Sequence, residues 1–80
     1  MSSRLRASRL RTAGERLRRF DFGAPATASQ EWVEGMCNSL SCRVQLGSGP
    51  SRHSVTFRVV FEPASSRVRD IEVGECLPLA

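Results

Sequence analysis

Apolar side chains recur at helical spacing over residues 3–20. Leu10, Ala13, Leu17 and Phe20 step by three, four and three, which keeps them on one stripe. Arg6 falls on the same stripe, so the first turn is expected to be frayed or held by something else. Residues 21–28, DFGAPATA, break the helix. Gly23 and Pro25 punctuate the segment, and the residue before Pro25 is pushed away from helical geometry. Thr27 and Gln30 have the spacing of a capping box for a second helix. Over residues 28–40, Trp32, Val33, Met36, Cys37 and Leu40 fall on one arc, with Gln30, Glu31, Glu34 and Asn38 opposite. A second helix is predicted there, weakened at Gly35 by about 1 kcal/mol relative to alanine.

From residue 41 the period changes to two. Cys42, Val44 and Leu46 alternate with Ser41, Arg43 and Gln45 over 41–46. After a Gly47–Arg52 loop, Val55, Phe57, Val59 and Phe61 alternate with Thr56, Arg58, Val60 and Glu62, making 53–61 the clearest strand of the chain. Residues 62–66 turn. A third strand is predicted over 67–73. Its parity slips between Val68 and the pair Ile71 and Val73, which predicts a bulge near Asp70. Gly74 ends that strand, and Pro78 opposes regular pairing in the tail.

These elements predict an α+β fold: two N-terminal helices followed by a three-stranded antiparallel meander. Residues 1–22 form a basic Arg-rich helix, and residues 23–80 a small α+β domain. The expected core is Trp32, Val33, Met36, Leu40, Val44, Leu46, Val55, Phe57, Val59, Phe61, Ile71 and Val73, joined by Leu10, Leu17 and Phe20.

Charge changes this picture at one end only. Residues 1–20 hold seven arginines and one acid, whereas residues 21–80 hold five arginines and seven acids. Arg4, Arg11 and Arg18 fall within about 40° of one another on a helix, with Arg19 beside them and Arg9 and Arg16 between the two faces. Such asymmetry points to an anionic partner. All twelve cationic side chains are arginine, with no lysine. A GC-rich coding sequence is the expected reason, because phosphate sites ordinarily use both residues; the alternative is that arginine was wanted for its bidentate fork on phosphate or carboxylate. The twenty-residue start is Arg- and Ser-rich and nearly acid-free, a composition shared with mitochondrial presequences, so a matrix location is one expectation. No apolar secretory segment follows it. The odd cysteine count, three, opposes a disulfide scaffold. A reducing compartment, cytoplasm or nucleus, is therefore expected.

Catalytic chemistry finds little support. Cys37, Cys42, His53 and Cys76 are residue types that suit tetrahedral zinc, but their spacing lacks a tight C-x₂-C knuckle. Cys37 and Cys42 also lie on apolar faces, where a thiol packs as a small hydrophobe. No third residue orients His53 against a thiol, and eighty residues rarely enclose a substrate pocket. The expectation is a non-enzymatic interaction protein without a cofactor, a subunit or adaptor of a larger assembly. Its size and GC-rich composition fit a viral or phage accessory protein. It would dock through Arg4, Arg9, Arg11, Arg16, Arg18 and Arg19, through its sheet, or both. The alternative is a nucleic-acid-binding domain with those arginines on the phosphate backbone. Few aromatic residues interleave with them. Internal pairing is also open, because Glu31 and Glu34 could meet arginines of the first helix.

Overall fold

The computed structural model describes residues 2–28, 31–47, 49–74 and 77–78. Among these residues one α-helix, α1 (Ser3–Arg19), lies across a single antiparallel sheet, and a short 3-10 turn spans Gly49–Ser51. Six strands build the sheet: β1 (Ala26–Ala28), β2 (Val33–Gly35), β3 (Ser39–Leu46), β4 (His53–Phe61), β5 (Val68–Val73) and β6 (Leu77–Pro78). The long strands β3 and β4 form its centre. β1 and β2 share the far side of β3, while β5 and β6 share the far side of β4.

The α+β class matches expectation, but the count of elements does not. In the segment read as a second helix over 28–40, Ala28 ends β1 and residues 33–40 are the start of the β2–β3 hairpin, with residues 29 and 30 outside the described residues. Trp32 and Leu40 keep their places against the core. Val33 and Met36 are 61% and 87% exposed, and Cys37 is exposed as well. The hairpin turn puts Cys37 and Asn38 at φ 60° and 58°, left-handed values that no helix contains. Asparagine visits this region readily, whereas cysteine is strained there by roughly 1 kcal/mol. The Ser39 hydroxyl donates to Met36 O at 2.8 Å and closes the turn. Gly35 faces Ser39 across the hairpin, and a Cβ there would lie 2.8 Å from Ser39 Oγ. Glycine is thus a close-approach requirement of a strand, not a weak point of a helix. Thr27, read as part of a capping box, lies in β1, and its expected partner Gln30 is outside the described residues.

The strand predicted over 53–61 appears with those bounds, the ones predicted over 41–46 and 67–73 begin instead at Ser39 and Val68, and the expected bulge is present. Val60 pairs with Asp70 but Phe61 pairs with Val68, so Arg69 has no partner. This offset returns Val68, Ile71 and Val73 to one face.

Pairing register fixes what each face carries. Leu40 lies opposite Val59, Cys42 opposite Phe57, and Val44 opposite Val55, so these six share the face under α1. With Phe61 and Ala13 they form the buried core. Leu10, Leu17, Phe22, Trp32, Leu46, Val68 and Ile71 pack around it. Phe20 and Val73, expected inside, are 37% and 42% exposed, because one helix is too narrow to cover the sheet out to β5. The other face carries Ser41, Arg43, Thr56, Arg58 and Glu72, with no helix over it.

Local chemistry explains α1. Ser2 caps its start by accepting from the Leu5 N–H at 3.2 Å. Leucine, alanine and arginine are good helix formers. Arg16, Arg18 and Arg19 occupy the last turn, where cations offset the negative end of the helix dipole. The Phe20 N–H closes the end on Leu17 O at 3.2 Å.

Candidate docking surface

The arginines of α1 divide into three groups. Arg9 points inward and is 2% exposed. Its Nε–H donates to Ser65 O at 2.6 Å and its Nη2–H to Glu62 O at 3.1 Å, both in the β4–β5 turn. Both terminal nitrogens approach Asn38 Oδ1 at 3.4 Å. The guanidinium carbon sits 5.0 Å from the Phe61 ring centroid, over its face. Arg9, expected among the docking residues, therefore clamps the helix to two turns of the sheet.

Arg6 forms the second group. Its Nε lies 3.2 Å from Glu34 Oε1. Glu34 pairs with Leu40 across the hairpin, so its position faces the helix from an edge strand. The first turn is held rather than frayed, as the pairing of Arg6 N–H with Ser2 O at 3.0 Å also shows. The ion pair is half exposed and contributes well under about 1 kcal/mol. Internal pairing therefore claims Arg6, through a strand residue and not a second helix.

Arg4, Arg11, Arg16, Arg18 and Arg19 remain. All are exposed and none makes an ion pair among the described residues. Arg4, Arg11 and Arg18 form the row directed away from the sheet, with about 10 Å between successive members along the axis. Arg16 and Arg19 lie on the flank facing β5, where they border a depression floored by Phe20 and Ile71. Glu15 is the only acid of the helix. Five guanidiniums against one carboxylate make a strongly basic face on an ordered element. The N-terminal charge asymmetry announced this face; only the packed structure removes Arg6 and Arg9 from it.

The candidate metal ligands are not brought together. Cys37 is in the β2–β3 turn, Cys42 faces the core in mid-strand, and His53 begins β4. His53 lies opposite Leu46, four residues along the strand from Cys42. That separation is ~13 Å at the usual rise of a strand, too far for a shared ion. No metal-sized cluster of such side chains occurs among the described residues. Cys76 lies outside them. The two thiols should differ in reactivity. A brief iodoacetamide pulse followed by peptide mapping is expected to label Cys37 at once and Cys42 only after denaturant is added. Equal labelling of both in native buffer would contradict the placement of Cys42 beneath α1.

The best-formed concavities are open surface depressions. No helix is long and apolar enough to cross a membrane among the described residues. Compared with protein-family models, curated proteins and solved structures, the chain matches none of them.

Proposed function

We propose that this chain is a non-catalytic interaction protein, a small subunit or adaptor, that docks through α1 on an acidic face of a protein partner. The observation carrying this reading is the set of five exposed arginines, Arg4, Arg11, Arg16, Arg18 and Arg19, with no ion pair among the described residues. Unpaired like charges on a packed helix weaken the helix slightly. An anionic surface reverses that cost and gains charge-assisted bonds from each guanidinium. The absence of an enclosed pocket among the best-formed concavities also favours docking over catalysis. The cysteine count supports a reducing compartment as its setting.

A nucleic-acid partner is the second reading, favoured by the even row of Arg4, Arg11 and Arg18. It meets one difficulty. Phe20, Phe22 and Trp32 all gather round Phe57, which leaves the outward row of α1 without a ring for base stacking. Contact would then be to the phosphate backbone alone.

Changing Arg4, Arg11 and Arg18 together to Gln tests both readings. Capture of the partner from the native source, with and without nuclease, is expected to be nuclease-resistant and lost in the triple variant. Nuclease-sensitive capture with a log–log salt slope near −2.7, about −0.9 for each of three phosphates, would support the nucleic-acid reading instead. Unchanged capture by the triple variant would remove α1 from the interface.

A further inference from the structure

We propose, building on the reading of α1 as a docking element for a protein, that the open edge of β5 receives an extended segment of that partner as an added strand. The segment's acidic side chains would meet Arg16 and Arg19.

β5 ends the sheet, and no described residue pairs with its outer side. The Gly74 N–H donates to Thr56 O at 2.7 Å. In an antiparallel ladder this sets the alternation: Gly74, Glu72 and Asp70 direct their backbone groups to β4, while Ile71 and Val73 direct theirs outward. The Ile71 N–H is already taken by Asp70 Oδ1 at 2.9 Å. The Ile71 carbonyl and both backbone groups of Val73 remain as ladder positions for a new strand. Only a peptide backbone offers the matching donors and acceptors at this spacing.

The side chains beside that edge define what the strand carries. Ile71 and Val73 lie opposite Val59 and Phe57, on the face that bears α1. Val73 is 42% and Phe20 37% exposed, so apolar surface is left uncovered between helix and edge. Arg16 and Arg19 border the same depression. A strand placed about 4.8 Å beyond β5 puts alternate side chains over that surface. Aliphatic and acidic residues suit this face. On the other face Asp70 and Glu72 stand on the neighbouring strand with Arg58 and Arg69 beside them, so charges of both signs offset one another there. The occupant is thus acidic on the face toward α1, while the other face, where Arg58 and Arg69 stand with Asp70 and Glu72, sets no charge requirement.

The probe is a fluorescein-labelled peptide, acetyl-Thr-Glu-Thr-Val-Thr-Glu-Thr-amide, titrated into the full chain by anisotropy. Binding is expected to weaken at least tenfold in the Arg16→Gln, Arg19→Gln double variant. A peptide N-methylated at the backbone positions facing Val73 should fail to bind the unmodified protein. Exchange of the Val73 amide should slow several-fold when peptide is added. Equal binding of the N-methylated peptide, or unchanged Val73 exchange, overturns the added strand. So does binding of a twelve-residue oligothymidylate, and not the peptide, at Arg16 and Arg19. The Arg4, Arg11 and Arg18 variant separates the two levels. If it loses the partner while the peptide never binds, the β5 inference falls and the docking reading of α1 stands. If the variant keeps the partner and the peptide does not bind, both fall.

Discussion

Phe57→Ala is expected to unfold the isolated chain at room temperature. Phe57 has no exposed surface and stands at the centre of β4, opposite Cys42 on one side and Val73 on the other. Three rings converge on it: Phe20 at 5.2 Å, Phe22 at 5.9 Å and Trp32 at 6.4 Å between centroids. These rings come from the end of α1, the connection after it and the approach to β2, so one side chain joins three segments to the sheet. Truncating a buried phenylalanine costs about 3–5 kcal/mol. A domain of this size holds little more than about 3–5 kcal/mol in total. Trp32→Ala should cost less, because Trp32 is only partly buried. Arg58, the next residue, points to the uncovered face and lies 4.0 Å from Glu72 in an exposed pair. Arg58→Ala should change stability by less than about 1 kcal/mol. Urea denaturation followed by circular dichroism compares these variants. A tolerated Phe57→Ala beside a damaging Arg58→Ala would invert the face assignment of β4.

The second large effect is expected at Arg9. Its guanidinium is buried, yet it binds two backbone carbonyls and the Asn38 side chain while lying over Phe61. Two costs oppose each other here. Burying the charge costs several kcal/mol in lost hydration. Each hydrogen bond from a charged group returns about 1.5–3 kcal/mol. Arg9→Ala loses the bonds, the stacking and the aliphatic stem, and about 3 kcal/mol of stability should go with them. Arg9→Lys keeps a buried charge, but a single nitrogen cannot span the turn carbonyls and Asn38 together. A loss of about 2 kcal/mol is expected. Arg9→Met keeps the stem and removes the charge, so about 1 kcal/mol is expected. The order Ala, Lys, Met in urea midpoints is the test. Met as the most damaging change would show that the charge itself ties α1 to the sheet. Three variants within about 0.5 kcal/mol of the native chain would show that no tie exists.

How far the sequence could be read differs from element to element. α1 was legible because its apolar stripe and its Gly23–Pro25 break agree with one another. β4 was legible because Val55, Phe57, Val59 and Phe61 recur at every second position, with Thr56 and Arg58 exposed between them. The bulge at Arg69 was legible because a parity slip in a strand has few other solutions. The 28–40 segment was misread for an equally physical reason. Trp32, Val33, Met36, Cys37 and Leu40 fit a helical arc, but five positions over nine residues constrain the backbone weakly. Gly35, Asn38 and Ser39 all favour a turn over a helix interior. Here tertiary pairing won: β3 needed a neighbour on its far side, and the hairpin supplies one at the cost of exposing Val33 and Met36.

The candidate surface divides along the same line. Local sequence determined that α1 is a helix, that it is basic, and that Arg4, Arg11 and Arg18 share a row, because these depend only on composition and a fixed turn per residue. It also determined which residues of β4 face inward, because strand parity is strictly local. Only the tertiary structure decided which arginines remain available. Arg6 and Arg9 are withdrawn by Glu34, Asn38 and the β4–β5 turn, groups between 28 and 56 residues distant in the chain. The edge at β5, with Val73 and Phe20 uncovered beside Arg16 and Arg19, exists for the same reason. It depends on how far one helix reaches across a sheet, and that is set by packing between elements, which no local pattern of residues encodes.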